Sequence, residues 1–244
     1  MTKIAFTGSG GNLGNACRSV FGNDHLFYTR KEFDITDHAK AREVILNDRP
    51  DAFVHMAAMA GIQQCEDDNE LAYNVNTRST LALAKIAHES GVKHFIFLST
   101  ACVFNGSIAD GIPNEDTLPY PKHYYGLTKY IAEEQLKTIV TPGMKITIVR
   151  TNFAGMPWEY PRAFIDRFGT YLFAEGVANG IKDVIEEMPD RPIIHICGDR
   201  RMSMYEYAVA GNSTVEELTL DEYNGPPLTI DMSISTKYWK KYTL

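Results

Sequence analysis

The sequence is short of cysteine, of basic charge and of long apolar runs, and each shortage removes a class of function. Its four cysteines, Cys17, Cys65, Cys102 and Cys197, stand far apart with no Cys-x-x-Cys spacing and no clustered histidines. That pattern excludes a disulfide framework or a zinc site as the organising principle, and it predicts reduced thiols and no metal. Lys and Arg number 24 against 31 Asp and Glu, a formal net charge of −7. The chain therefore lacks the overall basic footprint of a nucleic-acid binder. Its longest apolar runs, Phe53 to Ala60 and Phe95 to Leu98, fall well below the roughly 18 residues of a spanning helix. Met1-Thr2-Lys3-Ile4-Ala5-Phe6 passes into Gly-rich sequence without the apolar core of a secretory signal. A cytoplasmic protein with no membrane contact and no nucleic-acid partner is expected.

What the chain does have is alternation. Short β-branched or aromatic runs near Lys3 to Thr7, His25 to Thr29, Ala52 to His55, His94 to Ser99 and Lys145 to Arg150 are separated by helical patterns. Those helices are predicted near Asn12 to Phe21, Ala39 to Asn47, Glu70 to Ser90 and Tyr124 to Ile139. Repeated βαβ units of this kind predict an α/β fold, a Rossmann-like doubly wound parallel sheet. In Glu70 to Ser90 the stripe Leu71, Val75, Leu81, Leu83 and Ile86 is expected to pack on the sheet. In Tyr124 to Ile139 the stripe Leu127, Ile131, Leu136 and Ile139 is expected inward, with Glu133, Glu134 and Lys137 outward.

After about Arg150 the alternation fades. Residues 1–155 read as a dinucleotide-binding domain and 156–244 as a small substrate-capping region, too short for a large independent domain. Within it Trp158 to Pro161 reads as a loop and Arg162 to Met188 as mostly helical. A strand follows near 193–197, predicted to join the main sheet, then a helix near Ser203 to Ala210 and a strand near Val215 to Leu220.

Thr7-Gly8-Ser9-Gly10-Gly11-Asn12-Leu13-Gly14 follows the first strand directly and opens the first helix. Gly8, Gly11 and Gly14 have the spacing of a dinucleotide-binding turn, in which backbone approaches pyrophosphate and the helix N-terminus offers free N–H groups. Gly8, Ser9, Gly11, Asn12, Leu13 and Gly14 are thus cofactor candidates, although Gly-rich turns also serve structure alone. At the tip of the second strand stand Arg30 and Lys31. An acid there would favour NAD(H), whereas Arg30 suits a 2′-phosphate, so NADP(H) is the expected cofactor and NAD(H) the second choice. The same two residues also read as solvated surface charge.

Tyr125 and Lys129, four residues apart, share one helix face. An ammonium beside a phenol lowers its pKa and readies it for proton exchange with a carbonyl or hydroxyl oxygen. Alone, the pair reads more readily as a surface pair, since that spacing arises by chance in many helices. Thr100 ends a buried-type strand at the edge where ligand crevices form, and it has a local capping role as its plainer reading. Trp158, Tyr160 and Arg162 are candidates for stacking on a base and holding a diphosphate, or for closing a core edge. His195, inside the apolar run 193–197, reads as a satisfied core histidine.

Together these motifs resemble the extended short-chain dehydrogenase/reductases that act on nucleotide sugars. The resemblance runs through Thr7 to Gly14, Asp34-Ile35, His55-Met56-Ala57-Ala58, Asn74-Val75-Asn76, Ser99-Thr100, Tyr125 to Lys129 and Arg150-Thr151-Asn152-Phe153. Within that family it is nearest to the dTDP-4-dehydrorhamnose reductases. It implies Thr100, Tyr125 and Lys129 as the catalytic set, and Asp34 and Ile35 at the adenine. It also implies Ala57 and Ala58 along the dinucleotide, with Met59 a candidate beside them, and Asn152 toward a nucleotide-sugar substrate, for which Cys102, Asn105 and Trp158 are further candidates. The implied reaction is NADP(H)-dependent reduction of a 4-keto sugar, and the implied assembly is a homodimer through the helices 70–90 and 124–139.

Two departures bear on specificity: Ala101-Cys102 stands where those reductases carry Asp-Tyr, and the tail is shorter. Sugar-nucleotide dehydratases carry an Asp-Glu pair after the threonine, and Ala101-Cys102 cannot supply that acid and base. GDP-fucose synthases carry a cysteine near this place that assists epimerisation, so Cys102 reads either as an acid/base or as inert packing. The alternatives are a nucleotide-sugar epimerase and, from another class, a non-catalytic NADP-binding regulatory subunit.

Overall fold

A computed structural model describes residues 2–244. Its elements run β1 (Ile4–Thr7), α1 (Asn12–Phe21), β2 (Leu26–Tyr28), α2 (His38–Asp48), β3 (Ala52–His55), α3 (Ile62–Asp67) and α4 (Asn69–Tyr73). A π-helical turn, Asn74–Arg78, then leads into α5 (Ser79–Glu89), followed by β4 (His94–Thr100), α6 (Tyr124–Thr138) and β5 (Lys145–Thr151). The remainder comprises β6 (Arg162–Phe164), β7 (Phe168–Gly169), α7 (Ala174–Glu187), β8 (Ile193–Ile196), β9 (Met202–Ser203), α8 (Met204–Gly211), β10 (Glu216–Leu218) and β11 (Asp231–Met232).

Six strands pair in parallel in the order β2-β1-β3-β4-β5-β8. Strand residues alternate between two cores with period two, as both faces of a parallel sheet are covered. Ala5, Phe53, Phe95, Phe97 and Ile148 pack with α2, α5 and α6. Ile4, Phe6, Val54, Ile96, Leu98 and Val149 pack with α1 and α7. This is a Rossmann-like α/β fold. Its strand order reverses between β1 and β3, and ligand crevices open at the carboxyl ends of strands at such a point. The register sets Thr7 beside His55 and Thr100 beside Thr151 at that edge. Two small sheets, β10-β6 and β11-β7-β9, carry a third core around Phe104, Tyr171, Met204, Tyr207 and Met232. Among the described residues no helix is long and apolar enough to cross a membrane. All four cysteines are buried free thiols.

Three expectations are corrected. The segment Arg162 to Met188 is helical only over Ala174–Glu187; its first part forms β6 and β7. Their partners, Glu216–Leu218, Asp231–Met232 and Met202–Ser203, lie far along the chain, so tertiary pairing overrides local propensity. The predicted helix 70–90 is interrupted by the π turn, and α3 precedes it unannounced. One residue more per turn rotates what precedes it by about 100°: Leu83 and Ile86 are buried, but Leu71 is 40% exposed. Finally, Glu133 does not face solvent. The buried face of α6 is Gly126, Thr128, Lys129, Ala132, Glu133 and Leu136, and Glu133 meets Arg150 there, while Leu127 is partly exposed.

The phase shift is testable by urea unfolding. Leu83→Ala is expected to cost about 2–5 kcal/mol, whereas Leu71→Ala should stay within about 1 kcal/mol of wild type; equal losses would place both residues on one buried face.

Candidate active site

The first crevice starts at Gly8, which lies at φ +71. A Cβ there would stand 2.8 Å from the Ala57 nitrogen, so only glycine lets the β1 and β3 loops come this close. Gly14 likewise leaves no room for a side chain against the Ser9 backbone, seating α1 on the turn. No side chain caps α1, so its first N–H groups remain available to a phosphate. Gly8, Gly11, Asn12 and Leu13 line the crevice at this end, Ala57, Ala58 and Met59 along its side, and Arg30, Asp34 and Ile35 at the far end. Asp34 accepts from the Thr36 N–H (2.9 Å) and hydroxyl (2.7 Å), which hold its carboxyl below the usual range. Arg30 is exposed and makes no ion pair among the described residues. A glycine cradle, an uncapped helix end and a free guanidinium fit a phosphorylated dinucleotide.

A buried hydrogen-bond relay fixes the wall of this crevice. Thr7 Oγ1 accepts from the Met56 and Ala57 N–H groups (3.1 and 3.2 Å) and meets His55 Nδ1 at 2.8 Å. His55 Nε2 meets Thr80 Oγ1 at 3.0 Å. Burial pushes His55 down to about 3, so the ring is a neutral spacer that donates one way and accepts the other. Asn76, in the π turn, grips both sides of Met59: its Oδ1 accepts from the Met59 N–H (2.8 Å) and its Nδ2 donates to the Met59 carbonyl (3.0 Å). The same amide donates to Thr128 Oγ1 at 3.1 Å, reaching α6 between Tyr125 and Lys129.

A second cavity adjoins the first, sharing Met56, Ala58, Ala60, Leu98 and Phe153. Thr100, Cys102, Tyr125, Lys129 and Asn152 all line it. The Thr100 hydroxyl accepts from the Cys102 N–H at 3.1 Å, ending β4 in a tight turn. Gly126 permits α6 to press its first turn on the Cys102 carbonyl, where a Cβ would collide. His123 caps α6, Nδ1 accepting from the Gly126 N–H at 3.2 Å. Lys129 Nζ stands 3.9 Å over the Phe97 ring. Its pKa falls to about 7 because burial penalises the ammonium, with Glu133 acting in the opposite direction.

In the resting site the Tyr125 pKa is raised, where a neighbouring ammonium alone would lower it. Burial raises the phenol above its usual value, Cys102 adds to that, and only the Thr100 hydroxyl opposes it. Desolvation disfavours every charged form in this cavity, so Tyr125 rests as a proton donor. Burial also raises Cys102, against Arg167; its thiol lies 3.7 Å from Met232 Sδ. That speaks for packing and against a thiolate base.

Several candidates line neither space. Ser9 and Gly14 are buried against each other, where the turn meets the first turn of α1. Asn105 is exposed and closes its own turn on the Ser107 N–H (2.8 Å). Trp158 is buried in the third core with its indole N–H on the Arg162 carbonyl (3.3 Å), and the Arg162 guanidinium is paired with Glu222 (2.7 Å). His195 is buried, with Nδ1 2.8 Å from the Ser235 carbonyl. Sequence reasoning missed Thr151, Arg167, Tyr171, Met204 and Met232, which complete the second cavity. All but Thr151 come from beyond residue 155, where no local pattern marks them. Among the described residues no group of His, Cys, Asp and Glu is arranged for a metal ion.

A family model described as the RmlD substrate binding domain matches residues 2–164. The chain belongs to this family. It is 27% identical over 233 residues to the spore coat polysaccharide biosynthesis protein SpsK of Bacillus subtilis, covering 86% of this chain and 78% of that protein. A dTDP-4-dehydrorhamnose reductase of Aggregatibacter actinomycetemcomitans is 26% identical over 238 residues, with the same coverage. The dTDP-4-dehydrorhamnose reductase of Bacillus anthracis, solved in complex with NADP, superposes with a TM-score of 0.82 at 21% identity, over 96% of this chain and 91% of that one.

Burial of Lys129 makes a signed prediction. Between about 7 and its ordinary 10.5 the unfolded chain binds a proton that the folded chain does not, so this residue adds stability as pH rises. Lys129→Met is expected to be more stable than wild type at pH 7, with the gap closing toward pH 10.5 in urea titrations. A gap independent of pH would mean that Lys129 stays charged in the fold.

Proposed function

We propose that this chain reduces a 4-keto (deoxy)sugar carried on a nucleotide, using NADP(H). The observation that carries the reading is that Thr100, Tyr125 and Lys129 converge on one cavity that opens into the dinucleotide crevice. Membership of the family and similarity to named dTDP-4-dehydrorhamnose reductases support it. NADP(H) is favoured over NAD(H) by Arg30, unpaired at the tip of β2 where a 2′-phosphate would lie.

When bound, the nicotinamide supplies a hydride for the carbonyl carbon. Gly8, the α1 N-terminus and Arg30 would hold the phosphates, and Asp34 and Ile35 would flank the base. The Tyr125 phenol, kept protonated by burial, donates its proton to the carbonyl oxygen, and the Thr100 hydroxyl orients that oxygen. Lys129, in its ammonium form, stabilises the phenolate left on Tyr125. The raised Cys102 thiol favours simple reduction over a reaction that also inverts a carbon by proton abstraction.

Turnover of NADPH with dTDP-linked 4-keto-6-deoxy sugars is the direct test. Tyr125→Phe is expected to lower kcat by at least about a hundredfold, the usual scale of general acid catalysis, with the Kd for NADPH unchanged. Cofactor binding without turnover of any sugar nucleotide would refute catalysis and leave a regulatory subunit. Arg30→Ala should weaken NADPH about tenfold or more while sparing NADH; equal effects on both would put the 2′-phosphate elsewhere.

A further inference from the structure

The second cavity contains a buried cation that the mechanism does not use. Arg167, 8% exposed, precedes β7, and its Nε donates to the Thr229 carbonyl at 3.0 Å. Its two Nη groups, which carry four of the five donors, meet only thioether sulfurs: Met204 Sδ at 4.0 Å and Met232 Sδ at 3.2 Å. No carboxylate lies within ion-pair distance among the described residues, although the other buried arginine, Arg150, is paired with Glu133 and nearby Asp231 is taken by Arg201 (2.7 Å). A guanidinium removed from water without a counter-charge is costly. Two further polar atoms of residues lining this cavity, Tyr171 Oη and Thr151 Oγ1, are buried without a partner, and both residues are at most 3% exposed.

The position of this cluster says which ligand it serves. Arg167, Tyr171 and Thr151 line the cavity of Thr100 and Tyr125 and are absent from the dinucleotide crevice, whose phosphates have the α1 N-terminus and Arg30. Arg167 lies one side chain from Cys102, two residues after Thr100, since Met232 Sδ touches both its Nη2 (3.2 Å) and Cys102 Sγ (3.7 Å). We infer that Arg167, with Tyr171 and Thr151 beside it, is the anion-recognition site for the substrate, which carries a phosphate or carboxylate oxyanion about one sugar ring from its reacting carbon. The fork geometry of guanidinium suits either group. This rests on the proposed function for the place of the reacting carbon, but its test requires no turnover.

The test is calorimetric titration of protein saturated with NADP⁺, using dTDP and UDP in one arm and galacturonate in the other. A diphosphate response would assign the anion to the nucleotide, and a galacturonate response to an acidic sugar. In either arm Arg167→Gln is expected to raise Kd by about tenfold to a hundredfold, and Arg167→Lys, which keeps the charge and loses the fork, to fall between. NADP⁺ affinity should change less than about twofold in both variants, a control that a merely structural role would not meet. If Arg167→Gln does not fold, the Lys variant and the salt dependence of wild-type binding decide. Failure of both arms with wild type would overturn the inference, as would affinities that neither substitution nor salt alters. Absence of turnover alongside Arg167-dependent binding would count against the reductase reading alone.

Discussion

The buried pair of Glu133 and Arg150 is the constraint on which the site depends. Arg150 Nη2 donates to Glu133 Oε2 at 2.6 Å and its Nε to both carboxylate oxygens at 3.1 and 3.2 Å, while the Ser99 hydroxyl donates to the same carboxylate. Three elements therefore meet in one charged knot: α6 through Glu133, β5 through Arg150, and β4 one residue before Thr100. Arg150 also reaches His195 on β8 at 3.5 Å. Removing one partner of such a pair costs about 3–5 kcal/mol because the other is left charged and alone. Its strength lies in specificity, since it fixes the rotation of α6 about its axis. Glu133 points into the knot, and Lys129, one turn earlier on the same face, consequently points into the cavity.

A second set of polar contacts aligns the two spaces with each other. Thr7, His55 and Thr80 tie β1, β3 and α5 together, and Asn76 clamps Met59 while touching Thr128. The segment from Met56 to Ala60 is shared wall for both spaces, so its placement decides how a dinucleotide and a second ligand face one another. The π turn has a use here, because Asn76 lies within it and is wholly buried, with all of its amide bonds directed at that wall and at α6.

Much of this was legible because it is local. The glycine spacing after β1, Thr100 at a strand end, and Tyr125 and Lys129 one helical turn apart are short-range patterns, and each reaches one of the two spaces. Glu133 was read as solvent-facing because a carboxylate on a helix ordinarily is, and only its contact with Arg150, seventeen residues on, reverses that. Arg167 was invisible for a similar reason: β7 exists through pairing with residues 202–203 and 231–232, so its segment read as helix. Trp158 and Asn105 were drawn toward a substrate by resemblance and aromatic character. In the fold the indole fills the third core and the amide closes a turn.

The electrostatics of the cavity follow from one cause. Burial raises Tyr125 and Cys102 and lowers Lys129 to about 7, so each of these groups is pushed toward its neutral form. A proton on Tyr125 then leaves only when a neighbouring oxygen develops negative charge strong enough to take it, and Lys129 can accept a proton near neutrality to stabilise what remains. Arg167 is outside this balance, because a guanidinium does not deprotonate in a protein. The cavity thus combines acid–base groups held neutral with one permanent positive charge. Such a medium strengthens any interaction with an anion and confines proton transfer to the moment when charge appears.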